Sequence, residues 1–251
     1  MNSLQGNGKS TVRAVALIIA AIVMAAGIGY AGSLIGAGFA AKAGNAITIT
    51  GSAKVNATSD NVVWTLNAQE NAPTAGAAVK RVESDVVALT KYLTDGGVTP
   101  DGIQTGAIST NQINQYINGN FTGKILAYQA NQNVVVRSKD VEMIQKLSNG
   151  IGVLLQTGIN VNNYGPQFYI SSLNSLRPKL LADAMRDAQA RAQAITSAVG
   201  GKVGAVLSVT SGPFQVTTPD STDTSSGGYY DTTTIPKTVT ATVSVSFKVS
   251  K

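Results

Sequence analysis

Hydrophobic and polar positions alternate along this chain in three distinct ways. From Ala14 to Ala41 they do not alternate at all: twenty-eight residues carry no charge, between Arg13 and Lys42. A helix of that length reaches about 40 Å, against a hydrocarbon core of about 30 Å, so the run is long enough to span a bilayer with tilt. From residue 45 onward the pattern breaks into short segments with a period of two, which predicts strands, and longer ones with a period of three to four, which predicts helices.

The strand-like segments are Ala46–Gly51, Asn61–Glu70, Ile103–Ile117, Lys124–Arg137, Asn160–Ile170, Lys202–Thr210 and Thr238–Val249. In the second, Val62, Trp64, Leu66 and Ala68 share a face, and Trp64 reads as a core residue. In the last, Val239, Ala241, Val243, Val245, Phe247 and Val249 do the same. Asn118-Gly119-Asn120 predicts a tight hairpin turn, because Asn and Gly tolerate positive φ.

Three helices are expected. The first opens at Pro73 and carries Val79, Val82, Val86, Leu89 and Leu93 on one stripe before Asp95-Gly96-Gly97. The second is capped by Ser138, buries Val141, Ile144, Leu147 and Ile151, and stops at Asn149-Gly150. The third is capped by Asn174 or Ser175, with Pro178 in its first turn. It buries Leu181, Met185, Ala188, Ala192, Ile195 and Val199 and ends at Gly200-Gly201. Residues 211–236, rich in Ser, Thr, Asp and Gly, read as a long flexible loop. The order mixes hairpins with helices, so the fold class is α+β with largely antiparallel sheet and about three helices, preceded by a transmembrane helix.

The flanks orient the apolar run. Lys9 and Arg13 precede it, Lys42 follows it, and no acid occurs before Asp60. Residues 1–13 are thus expected to be a cytoplasmic tail, 14–41 a single-pass membrane anchor, and 45–251 an extracytoplasmic region, possibly two α+β subdomains. A cleaved signal peptide is the competing reading, with Ala41-Lys42-Ala43 as a small-x-small site, but signal cores are usually about 7–15 residues long. One side of the run is a ladder of small residues: Ala21, Ala25, Gly29, Ser33, Ala37 and Ala41, beside Gly32, Gly36 and Ala40. Small residues every four positions let helices pack closely in lipid, so Ala25, Gly29, Gly32, Ser33, Gly36 and Ala37 are the expected helix-packing site.

Composition narrows the chemistry. The chain has no Cys and no His, which removes disulfides, thiol nucleophiles and imidazole ligands or bases. From Ala43 onward sixteen basic and thirteen acidic residues are scattered without a cluster, which argues against nucleic acid as a partner. No catalytic constellation, cofactor site or metal site is expected. Asp183 and Asp187, one turn apart on a helix that also carries Arg186 and Arg191, read as surface charges. Asp220, Asp223 and Asp231 read as solvated loop residues rather than a cation site. Asn56-Ala57-Thr58 and Asn120-Phe121-Thr122 match a glycosylation pattern that is frequent by chance.

Several stretches carry a family likeness: Ile47-Thr48-Ile49-Thr50-Gly51; Gly96-Gly97-Val98-Thr99-Pro100-Asp101-Gly102-Ile103-Gln104-Thr105; Ile125-Leu126-Ala127-Tyr128-Gln129-Ala130-Asn131-Gln132-Asn133-Val134; and the spaced Ala184, Ala188 and Ala192 closing on Gly200-Gly201-Lys202-Val203-Gly204. In order and spacing they resemble the SIMPL-domain family across roughly Ala46 to Val249. That resemblance implies an exported bacterial envelope protein with no known enzymatic activity, associated with stress tolerance, whose members form homo-oligomers, some of them ring or channel-like. Together these expectations describe a membrane-anchored protein whose partners are itself and the bilayer. The alternative is a periplasmic binding module for a small ligand or a damaged protein.

Overall fold

The computed structural model describes residues 45–250. The tail 1–13, the run 14–41 and its small-residue face lie outside the described residues. The chain forms two compact units. One comprises Met1–Gly51, Ala188–Thr210 and Ser244–Lys251; the other comprises Ser52–Asp187 and Ser211–Val243.

The elements are strands β1 (Ala46–Thr58) and β2 (Asn61–Ala72), helix α1 (Ala75–Asp95), a 3-10 turn (Pro100–Gly102), strands β3 (Ile103–Thr105), β4 (Ser109–Ile117) and β5 (Asn120–Ser138), helices α2 (Val141–Gly150) and α3 (Gly152–Gln156), strand β6 (Val161–Tyr169), helix α4 (Leu173–Ala198), and strands β7 (Lys202–Ser211), β8 (Gln215–Thr217), β9 (Tyr229–Tyr230) and β10 (Pro236–Ser250). One sheet runs β3-β5-β2-β6, with β4 also on β5, and is antiparallel throughout. The other runs β1-β10-β8-β9, with β7 also on β10; its β8–β9 pair is parallel. The α+β class with mostly antiparallel sheet is therefore the observed one. Among the described residues no helix is long and apolar enough to cross a membrane.

In the Ser52–Asp187 and Ser211–Val243 unit the period-two face of β2 is the core. Val62, Trp64, Leu66 and Ala68 are buried with Val82, Leu89 and Leu93 of α1, Val134 and Val136 of β5, Ile144 of α2 and Phe168 of β6. The Trp64 indole N–H donates to Asn163 Oδ1 at 2.8 Å, so the largest core side chain also has its polar edge satisfied. A second cluster joins Ile170, Leu180, Val216, Val239 and Ala241.

Several helix ends differ from the sequence expectation. Thr74, not Pro73, caps α1: its Oγ1 accepts the Ala77 N–H, and Pro73 stays outside the helix. Asp140, not Ser138, caps α2 by accepting the Met143 N–H. Ser138 is still paired with Val62 in β5, and its hydroxyl accepts the Asp140 N–H instead. Ile151 is a joint between α2 and α3 rather than a residue of α2. α4 begins before both expected caps, with Ser172 O accepting from Ser175 and Leu176, which leaves Pro178 inside the helix.

The buried stripe of α4 is Leu180, Ala184, Ala188, Ala192 and Thr196; Ile195 and Val199 are exposed. Small residues face inward because they let the helix approach its neighbours closely, and that turns the bulkier side chains outward. The expected loop 211–236 holds two strands, β8 and β9. Only 218–228 lies between them without helix or strand. Three hydrogen bonds fix the segment after β9 to other parts of its unit: Asp231 N–H to Val216 O, Phe168 N–H to Thr232 O, and Ser59 N–H to Ile235 O.

Candidate assembly surface and buried charges

β5 is nineteen residues long, but β2 pairs only with its Tyr128–Ser138 portion. Residues 120–127 pair with β4 alone. That outer portion extends about 26 Å at 3.3 Å per residue. The turn at its tip follows from the sequence: Asn118 (φ 51°) and Gly119 (φ 81°) both take the positive φ of a type I′ hairpin. Two bulges interrupt the pairing, between Ile113 and Asn114 and between Asn114 and Tyr116, and bulges bend and re-aim a ribbon.

The arm is apolar where it should be wet. Tyr116 is 62% exposed and Phe121 52%, and their rings pack against each other across the strands with centroids 5.9 Å apart. Ile117, Ile125 and Leu126 are exposed as well. Lys124 is the single charge from Gly102 to Gln132. A two-stranded ribbon is marginal in water by itself, and clustered exposed apolar side chains mark contact surfaces. A second surface of this kind lies in the other unit. β7 pairs only with β10, is exposed along nearly all its length, and presents Val206, Leu207 and Val209 with no charge after Lys202.

Inside the larger unit two charge pairs stand apart. Lys237 Nζ donates to Asp231 Oδ2 at 2.6 Å, with the side chains 0% and 5% exposed. Thr233 and Thr234 hydroxyls donate to the same carboxylate, each at 2.7 Å. Burial, the largest single influence, pushes the Asp231 carboxyl up. Lys237 and the two threonines together outweigh it and hold the group well below the usual carboxylate range. Asp231 is thus a structural anchor and not the solvated loop residue the sequence suggested. Asp223 does line an open cleft of about 210 Å³ with Lys54, Asn56 and Thr240.

The second pair is acidic on both sides. Glu70 of β2 and Asp85 of α1 lie close enough to influence each other. Burial, and after it the Asp85 charge, raises the Glu70 carboxyl, against the pull of Arg81 Nη1 at 3.9 Å. Burial raises Asp85 too, against the Asn160 backbone N–H and the Glu70 side chain. Asp85 Oδ2 is buried, and no described N–H or hydroxyl donates to it.

Of the helix carboxylates, Asp183 pairs with Arg186. Asp187 accepts the Ser52 N–H at 2.9 Å, so it ties β1 to α4 instead of facing only water. Among the described residues no group of three acidic side chains is placed to hold a metal. A groove of about 470 Å³ lies between Gly97–Thr99 and Arg137–Asp140, open and edged by Lys139 and Asp140; small-molecule sites are usually enclosed and mostly apolar.

The arm and both pairs fall within one stretch of family likeness. The model of SIMPL, described as a protein of unknown function (DUF541), matches residues 47–247. The chain belongs to the SIMPL family. No curated protein matches it. The SIMPL match runs from β1 through most of β10, so the arm and the buried Lys237 are parts of the matched domain. The family's function being unknown, membership assigns neither a reaction nor a ligand.

Proposed function

We propose that this SIMPL protein is a non-enzymatic, membrane-anchored component of the bacterial envelope that works as a closed homo-oligomer, a ring, cage or channel-like body outside the inner membrane. The observation that carries the proposal is the β4–β5 arm. It exposes Tyr116, Phe121 and Leu126 at the end of a ribbon that the rest of its sheet does not support. A second copy would cover this surface, and closed symmetry would satisfy one copy's arm with the next copy's body. The run 14–41 supplies the anchor, with the Gly32–Gly36 face packing anchors together. Envelope stress tolerance is the role that fits an assembly of this kind without catalytic groups.

Mass measurement on the detergent-extracted chain tests the reading. The expected result is one discrete oligomer, converted to smaller species by Tyr116→Ser with Phe121→Ser and weakened by Gly32→Leu with Gly36→Leu. A monomer at micromolar concentration overturns it. An oligomer unmoved by the arm variant assigns the contact elsewhere.

A further inference from the structure

All thirteen Asp and Glu residues lie in the unit Ser52–Asp187 with Ser211–Val243. The described residues of the other unit contain no acid and three bases, Arg191, Lys202 and Lys248.

The described geometry of the smaller unit gathers one end of it. Val249 N–H donates to Asn45 O at 2.8 Å, which sets the first described residue beside the close of β10. The turn from α4 into β7 lies at the same end. Gly200 takes φ +72°, Gly201 N–H donates to Thr196 O at 2.8 Å, and a Cβ on Gly201 would stand 3.3 Å from Ser250 O. Val199, at this turn, is 80% exposed, and Ile195 one turn earlier is 49% exposed. Lys202, three residues after Val199, is exposed, and so is Lys248, whose carbonyl oxygen would stand 3.1 Å from a Cβ on Gly204 of β7.

Three residues separate Ala41 from Asn45, a reach of at most about 14 Å even when fully extended. Whatever surface the run 14–41 enters lies within that distance of Asn45. We propose that the acid-free unit docks this end on an anionic lipid surface, with Val199 and Ile195 in the headgroup region and Lys202 and Lys248 on lipid phosphates. The proposal rests on the anchor reading for proximity, and on the unit's own charge and apolar end for contact. Exposed apolar side chains together with lysines on one unit are what an interfacial site requires.

The chain has no cysteine, so Val199→Cys gives one labelling position. The labelled full chain is reconstituted in phosphatidylcholine vesicles, with or without phosphatidylglycerol, and quenching by headgroup-borne quenchers is read. Docking predicts strong quenching at 199 that depends on phosphatidylglycerol. Lys202→Gln with Lys248→Gln should lower the docked-to-undocked ratio about twenty-fivefold at roughly fivefold per lysine. Alkaline carbonate extraction reports insertion separately. A chain that stays inserted but shows no phosphatidylglycerol-dependent quenching at 199 overturns docking and leaves the anchor standing. A chain that carbonate strips, yet whose label 199 is quenched before stripping only with phosphatidylglycerol, upholds docking and overturns the anchor. Shielding of label 199 that is equal in detergent and in both vesicles points to a second copy there and overturns the lipid assignment.

Discussion

Replacing Lys237 with Met leaves Asp231 buried without its cation. At 2.6 Å and an effective dielectric near 20, the pair's direct attraction is about 6 kcal/mol. Burying both charges costs several kcal/mol per ion, so the intact pair is close to neutral relative to an apolar replacement. Removing one partner is different, because the remaining carboxylate keeps its desolvation and loses its compensation. Such deletions cost about 3–5 kcal/mol, a large share of the roughly 5–15 kcal/mol that holds a domain folded. The Thr233 and Thr234 hydroxyls still donate to Asp231, which places the expected loss toward the lower end of that range.

Trp64 is the only tryptophan and is fully buried in the same unit, so its fluorescence during guanidinium unfolding of the detergent-solubilised chain reports the loss directly. The pH dependence carries a sign. In the wild type, Asp231 ionises below its ordinary value of 3.8; its contribution is complete above about pH 4 and is lost as pH falls through the range beneath. In Lys237→Met the carboxyl lacks that partner and burial raises it, so the variant recovers part of its deficit on mild acidification. Lys237→Met combined with Asp231→Leu should regain most of the loss. A single variant within 1 kcal/mol of wild type at neutral pH, or a double variant as weak as the sum of the two singles, refutes the reasoning.

The acidic pair predicts the opposite trend. Both carboxyls are raised in the folded chain, so their contribution to stability falls as pH rises above the ordinary values of 3.8 and 4.5. Asp85→Asn gives Glu70 a permanent donor and should add about 1 kcal/mol at neutral pH while flattening that slope, as chemical unfolding at several pH values will show. Gly102→Ala should cost roughly 1–3 kcal/mol, because the new Cβ would lie 2.6 Å from the Arg137 carbonyl oxygen. Gly76→Ala, in the exposed first turn of α1 with open space around it, should be neutral or stabilising by up to about 1 kcal/mol, and thermal unfolding of the two variants separates steric from entropic effects.

The strands of the core were legible because burial on one side enforces a period of two: β2 and β10 show the faces that Val62–Ala68 and Val239–Phe247 predict. The same rule already pointed at the buried charges. Glu70 continues the inward register of Val62, Trp64, Leu66 and Ala68; Lys237 continues that of Val239, Ala241 and Val243; and Asp85 falls on the stripe of Val82 and Leu89. Polarity hid them, since a charged residue in an apolar register reads as the end of the element. Asp231 carried no such signal, because nothing in its own segment's sequence shows that 231–235 is hydrogen-bonded to β6, β8 and the residues before β2. The stripe of α4 slipped because alanine, the weakest hydrophobic cue, faces inward there. Helix caps slipped by one or two residues, because Ser138 and Asp140 both offer oxygens at that end and only the extent of β5 decides between them.

The polar groups of the described region mostly answer one another. Asn67 donates to Asn133, Ser109 to Asn131, Arg137 to Gln104, and Gln132 to the Gly106 carbonyl, all within one sheet. Such groups are committed to the fold and leave little to recognise a small ligand. The exposed apolar surface of the arm faces two ways. Tyr116 and Phe121 are directly paired and share one face of the ribbon; Ile117, the next residue along β4, points to the other. A single flat partner covers only one face of a two-stranded ribbon. Both faces are covered when the arm is gripped from two sides, so a copy that inserts its arm into its neighbour gains more than one that meets the neighbour face to face. Insertion of this kind is heterologous: each copy gives one surface and receives another. In the proposed assembly, contacts of this kind give a ring where the rotation closes and an open filament where it does not, so the particle's symmetry tests the arm's role.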